Sequence, residues 1–192
     1  MTKSNDSDLE LVEKVKNGDT SAFRILVDRY KKVSYSLACS ILQDDDAEDA
    51  LQESFIKVFY HIKKFRGDSS FSSWLYRIVV NTCFSMAKKQ KKKESFIGRA
   101  CEKDSIADQS KTGIDHMMAS EQSEMINSVL DSMKSDEALL LRLFYLSEMD
   151  LKEIMKITGY KESKVKVTLF RARKSLLLKI KSIYTNDLMS VS

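Results

Sequence analysis

Residues 164–174, KVKVTLFRARK, place Lys164, Lys166, Arg171, Arg173 and Lys174 within about three helical turns, with Val167, Thr168 and Phe170 between them. Glu162 is the sole acid from 161 to 181. Long cations at this spacing pair with phosphates or guanine edges, and a Thr methyl or Phe ring can touch a thymine methyl. A second constellation lies at 65–93, where FRGDSSFSSWLYRIVVNT (65–82) joins a polar loop around Gly67 to an aromatic-rich helix start. Asn81 and Ser85 follow, ahead of lysines that include Lys88 and Lys89. Loop walls or rings hold an unstacked base, an amide reads its edge, and lysines hold the backbone. The third constellation is acidic. Asp45, Glu48, Asp49, Gln52 and Glu53 recur at three- and four-residue spacing, so one helix face carries them.

Covalent chemistry is not indicated. His61 and His116 sit on unrelated segments, and the chain has no phosphate-cradling glycine loop, nucleophile motif or metal constellation. No catalytic residue, cofactor or small-molecule substrate is expected. Cys39, Cys83 and Cys101 form an odd, widely spaced set that suits neither a zinc site nor a disulfide framework, so a reducing cytoplasm is the expected location. The polar N-terminus lacks a signal-peptide core, and no apolar run reaches membrane-spanning length, so no membrane insertion is expected.

Helices must position these groups. The 192 residues include no proline and 43% hydrophobic residues, which favours an all-α fold. The net charge of +4 is modest; its separation into basic and acidic stretches suits a protein that meets both a polyanion and a basic protein. Leu9, Val12 and Val15 form one apolar stripe, and Phe23, Leu26, Val27, Tyr30, Val33, Leu37 and Ile41 form another. Asp19 is placed to cap the second helix. Asp44 or Asp45 is expected to cap a third that carries Leu51, Phe55, Val58, Phe59 and Ile62. A loop over 65–71 leads to a fourth helix from about Ser72, with Trp74, Leu75 and Ile78 on its buried face.

Between about 94 and 122 helical periodicity dissolves into a mostly acidic, polar linker. It resumes at Met125 with Ile126, Val129 and Leu130 and continues through Leu139, Leu140, Leu143, Phe144 and Leu146. Asp150 and Glu153 have capping-box spacing at the start of a short helix carrying Leu151, Ile154 and Ile157, and Gly159-Tyr160 ends it. A last helix from about Glu162 carries Val165, Leu169, Leu176 and Ile180. The pair has the layout of a helix-turn-helix, with Met155 where a small residue is usual and Lys161 where a Ser or Thr cap is expected.

With these segments in view, the chain closely resembles the sigma-70 family, specifically the small extracytoplasmic-function sigma factors. DDAEDALQESFIKVF (45–59) resembles the family's polymerase-gripping segment. FRGDSSFSSWLYRIVVNT resembles its promoter-melting segment, and LKEIMKITGYKESKVKVTLFRARKSL (151–176) its minus-thirty-five reader. The resemblance implies two helical domains, region 2 over 1–93 and region 4 over 123–185, joined by the linker 94–122 and followed by a tail, 186–192. It implies that Asp45, Glu48, Asp49, Gln52 and Glu53 bind the β′ coiled coil of core RNA polymerase. It implies that Phe65, Arg66, Gly67, Asp68, Ser69, Ser70, Phe71 and Ser72 cradle a flipped minus-ten base, with Asn81, Ser85, Lys88 and Lys89 adding contacts. Lys164, Lys166, Val167, Thr168, Phe170, Arg171 and Arg173 match the positions facing the minus-thirty-five promoter DNA. The polymerase β flap and an anti-sigma factor are further implied partners.

Two rivals predict different behaviour. A conventional regulator would bind promoter duplex without polymerase and leave it closed, while a helical adaptor would show no salt-dependent DNA binding.

Overall fold

The computed structural model describes residues 3–97 and 121–190, and all regular structure among them is helical. The chain divides into two compact units, Met1–His116 and Met117–Ser192. Most of the segment read as a linker, 98–120, lies outside the described residues, as does Cys101.

In the first unit α1 (Lys3–Lys16) turns at Gly18 into α2 (Thr20–Cys39). Asp19 caps α2 as its sequence position predicts, its side chain accepting from the Ser21 and Ala22 backbone N–H groups. The Ser21 hydroxyl, which also donates to this carboxylate, and then the Ala22 N–H hold the Asp19 carboxyl below its ordinary pKa. At α3 (Asp44–His61) the expected cap is not used. Gln43 occupies the cap position without a side-chain bond, and Asp44, Asp45 and Asp46 lie inside the first turn, where the helix dipole favours negative charge.

A single 3-10 turn (Ile62–Lys64) and a loop then lead to α4 (Phe71–Ile97). Ser70 initiates α4: its Oγ accepts from the Ser73 N–H at 3.1 Å and its carbonyl from the Trp74 N–H at 3.1 Å. Val12, Leu26, Leu37, Val58, Leu75, Val79 and Cys83 make the core, with α4 packed on α2 and α3. Asp8 is buried among them, accepting from Arg29 and from the Tyr30 hydroxyl.

The apolar stripes are partly out of phase with the core. Leu9 is exposed at one end of its stripe, because Val12 and Val15 already fill the contact with α2. On α3 the core takes Ala47, Ala50, Ser54 and Val58, which leaves Phe55 half-buried and Phe59 exposed. On α4 Phe71 and Tyr76 are buried, while Trp74 and Ile78 are only half-buried.

The second unit comprises α5 (Glu121–Asp131), α6 (Ser135–Leu141), α7 (Leu151–Thr158) and α8 (Glu162–Ser190). The stretch expected to run as one periodic block is broken by a turn at 132–134, and α6 ends in a π-helical turn, Arg142–Leu146. The wider turn puts Leu143 into the core but Tyr145 and Leu146 on the surface; Ile126 of α5 is also exposed. Arg142 is buried to 1% exposure, and one of its terminal nitrogens donates to Asp131 Oδ1 at 2.6 Å. α8 packs on α6, α7 and α5, and its helix continues to Ser190.

Candidate nucleic-acid and protein interfaces

The carboxylate face of α3 is open to solvent. Asp45, Asp49, Gln52 and Glu53 are exposed and Glu48 is half-buried, so the helix brings all five together on one side. Glu53 Oε1 lies 2.6 Å from Lys57 Nζ, and that hydrogen bond holds its carboxyl below the usual pKa. The same helix continues into an apolar hollow of about 340 Å³ lined by Phe23, Phe55, Ile56, Phe59 and Tyr60. Phe23 of α2 meets Phe59 edge-on at 5.0 Å, while Ile56 is 57% and Tyr60 74% exposed. Helical periodicity alone predicts core positions for Phe55 and Phe59. The signal that separates them from the core is the run of small residues Ala47, Ala50 and Ser54, which mark the face of close helix approach.

Beyond α3 the loop between the 3-10 turn and α4 exposes Arg66, Gly67 and Asp68, with Ser69, Ser70 and Ser72 half-buried. Gly67 adopts φ +80°, a left-handed conformation that an L side chain would strain, which lets the loop turn back onto α4. Phe65 and Phe71 do not share the loop's exposure. They are buried at 4% and 1%, meet each other edge-on at 5.8 Å, and lie 5.3 and 5.9 Å from the half-buried Trp74 ring. Tyr30 closes the cluster from α2 at 5.7 Å from Phe71. The exposed loop therefore rests on a fixed aromatic floor. Asn81, Ser85, Lys88 and Lys89 are all exposed on α4, and their spacing continues the face that carries Trp74.

In the second unit the capping box forms as predicted. Asp150 Oδ1 accepts from the Glu153 N–H at 2.7 Å, and Glu153 Oε2 accepts from the Asp150 N–H at 3.1 Å. Gly159 ends α7 at φ 70°, its N–H bonded to the Met155 carbonyl at 2.9 Å. Ile154 and Ile157 then pack with Val165, Leu169 and Ala172 of α8; Met155 is accommodated half-buried. Lys161 stands at the place of the missing Ser or Thr cap, and its carbonyl accepts from the Val165 N–H at 3.0 Å.

This packing leaves a wide arc of α8 in solvent. At about 100° per residue, Lys164, Val167, Thr168 and Arg171 lie along one side of the arc and Lys166, Phe170 and Arg173 along the other. All are exposed except Thr168, which is half-buried; Phe170 is 70% exposed. Lys166 pairs with Glu162 at 2.6 Å, and Lys164 pairs with Asp136 at 3.2 Å. Burial lowers the Lys164 pKa, but bonds to Asp136 and Tyr160 outweigh it and raise the pKa overall.

Comparison with known proteins matches residues 26–93 to sigma-70 region 2 and residues 123–176 to sigma-70 region 4. The ECF RNA polymerase sigma-E factor of Haemophilus influenzae is 30% identical over 183 residues, covering 92% of this chain and 97% of that protein. This chain is an extracytoplasmic-function sigma factor of the sigma-70 family. The sigma-E factor of Escherichia coli K12 is 29% identical to it over the same length, 96% of that protein. Two solved structures share its fold at 19% identity. The sigma factor RpoE, in complex with the anti-sigma factor NepR from Bartonella quintana, has a TM-score of 0.61 over 83% of this chain and 96% of that one. CnrH, in complex with the cytosolic domain of CnrY, has a TM-score of 0.57 over 92% and 98%.

As a sigma factor the protein is a transcription initiation factor and not an enzyme. Its region 2 match spans the carboxylate face, the apolar hollow's α3 wall, the 65–70 loop and α4 to Lys93. The region 4 match runs from within α5 to Leu176, so the last part of α8 extends beyond it. Among the described residues, no helix is long and apolar enough to cross a membrane.

Proposed function

We propose that the sigma factor docks on the β′ coiled coil of core RNA polymerase through Asp45, Glu48, Asp49, Gln52 and Glu53, together with the apolar hollow beside them. The carboxylates steer a basic partner, and the hollow supplies the desolvated contact that exposed charges alone do not give. Arg66–Ser70 then hold a base flipped from the melted minus-ten strand. Phe65 and Phe71 act from beneath, keeping the loop's shape. Asn81 reads the strand, with Ser85 beside it and Lys88 and Lys89 on the phosphates. A flipped base costs only a few kcal/mol to unstack, so capture of the displaced strand drives opening without ATP.

Region 4 reads the minus-thirty-five element through α8. Lys166 and Arg171 approach the groove from opposite sides of the arc, with Lys164, Thr168, Phe170 and Arg173 around them. Val167 sets an apolar point in the reading face. The proposed division of labour is region 2 over 1–93, a linker over 94–122, region 4 over 123–185 and a tail over 186–192; α4 and α5 reach into the linker bounds, and α8 runs on through most of the tail. The β flap and an anti-sigma factor are its further partners, and the cytoplasm is its location.

The observation that carries this reading is the pairing of the two matched regions in one chain, each presenting its own open face. Run-off transcription with purified core polymerase tests it. The reconstituted holoenzyme should initiate at a promoter from the factor's own genome, and start sites mapped after overexpression should share minus-ten and minus-thirty-five elements. Failure to initiate at any such promoter, with no inhibitor present, refutes it.

A further inference from the structure

Lys164 stands in the first turn of α8, Asp136 in the first turn of α6 and Tyr160 in the turn before α8. The three form a closed set of contacts. Lys164 Nζ lies 3.2 Å from Asp136 Oδ2 and 3.3 Å from the centroid of the Tyr160 ring, and the Tyr160 hydroxyl donates to Asp136 Oδ1 at 2.6 Å. By contrast, Lys161, Arg171 and Lys174 form no ion pair among the described residues.

The Lys164 and Asp136 side chains are 47% and 49% exposed, so their pairing adds little to stability. Its consequence is for charge. A free ammonium is drawn to any phosphate, and such attraction carries no sequence information. With a carboxylate at 3.2 Å the pair is neutral as seen from beyond a Debye length of about 8 Å, so Lys164 adds little to that attraction. Reaching a phosphate would cost it both the carboxylate and the ring. An ammonium has three protons to donate, and the contacts with Asp136 and Tyr160 leave donor capacity for an acceptor presented at that place.

We infer that Asp136, fixed by Tyr160, is a specificity-determining positioning residue: it withholds Lys164 from phosphates and reserves it for a base edge of the matched minus-thirty-five element. This rests on the reading of α8 as the groove helix. The two are separable by experiment.

Holoenzyme assembled from core polymerase and full-length factor is titrated over a salt series. One duplex carries the matched minus-thirty-five element and the other a scrambled one, with the same minus-ten element in both. Asp136→Asn frees Lys164 for one further phosphate. Binding to the scrambled duplex should tighten about fivefold at 0.15 M salt, with its log–log slope steeper by about 0.9. The ratio of matched to scrambled affinity should fall. Tyr160→Phe, which keeps the ring and removes the bond to Asp136, should act in the same direction by less. Adding Lys164→Ala to Asp136→Asn should abolish the gain. An unchanged ratio in both single variants overturns the inference, as does a gain that survives Lys164→Ala. If the unaltered holoenzyme fails to distinguish the two duplexes, the reading of α8 falls, and the inference with it.

Discussion

Arg173 Nε donates to the Tyr145 hydroxyl at 2.8 Å, and the rings of Phe144 and Tyr145 lie 5.3 and 5.6 Å from its guanidinium carbon. The π-helical turn makes this contact, by bringing two consecutive aromatic residues against the side of α8. Freezing a long side chain on binding costs about 0.5–1.5 kcal/mol, and Arg173 has already lost much of that freedom. Tyr145→Phe should therefore weaken holoenzyme binding to a minus-thirty-five duplex several-fold with an unchanged salt slope. Arg173→Ala should flatten the slope by about 0.9, as expected for a lost phosphate contact. A flattened slope in Tyr145→Phe would show that the hydroxyl does more than hold the arginine.

On α3 the carboxylates and the hollow should fail differently. Asp49→Lys with Glu53→Lys reverses two exposed charges and replaces the Glu53–Lys57 ion pair by two like charges one turn apart, at a cost of only about 0.5 kcal/mol. Circular dichroism should be unchanged and association with core polymerase abolished. Phe59→Ala truncates a ring that is 41% exposed, so the fold should survive, while association weakens at least tenfold through faster dissociation. Undiminished association in the charge-reversed variant would remove α3 from the interface.

Asn81 is exposed on α4 without a role in the core, so its replacement reports on function rather than stability. Asn81→Ala should reduce open-complex formation, read by permanganate footprinting, more than it reduces binding to closed duplex. Equal losses in the two assays would assign Asn81 to duplex contacts.

Local signals explain what is legible from sequence. Asp19, the Asp150–Glu153 box and Gly159 act on backbone a few residues away, so their spacing alone carries their role, and the structure realises each one. The all-helical fold follows from the same kind of signal. Phase is a different matter. Trp74 shares a periodic stripe with Leu75 and Ile78, which predicts a core position, but the floor is built by Phe65, Phe71 and Tyr30, which meet only after the chain turns at Gly67. The tertiary contact decides which way the helix faces. Arg142 escapes sequence reasoning for a related reason: a guanidinium in an apolar run reads as a surface residue until Asp131, on another helix, is placed beside it. Asp136 and Tyr145 likewise act across 24 or more residues of sequence, where no short motif records them.

Cys83 lies fully buried on α4, and burial, followed by the neighbouring Cys39 thiol, pushes its pKa up to about 12. In the unfolded chain the thiol ionises near its ordinary value of about 8.5. Because the folded-state pKa is the higher one, the stabilisation linked to this group is complete below about 8.5 and is lost as pH rises from there toward 12. The thiolate is the reactive species, so the folded protein should shield Cys83 from iodoacetamide at pH 8. In a Cys101→Ser background, the half-buried Cys39 should be alkylated first. Cys83 should follow only at the rate of global unfolding, rising in step with urea concentration. Cys83→Ser should destabilise the first unit by about 1–3 kcal/mol, since a hydroxyl placed there is desolvated among apolar neighbours. Rapid alkylation of Cys83 in native buffer would mean that α4 separates from α2 and α3 without unfolding. Region 2 would then be a looser platform for the minus-ten strand than its packing implies.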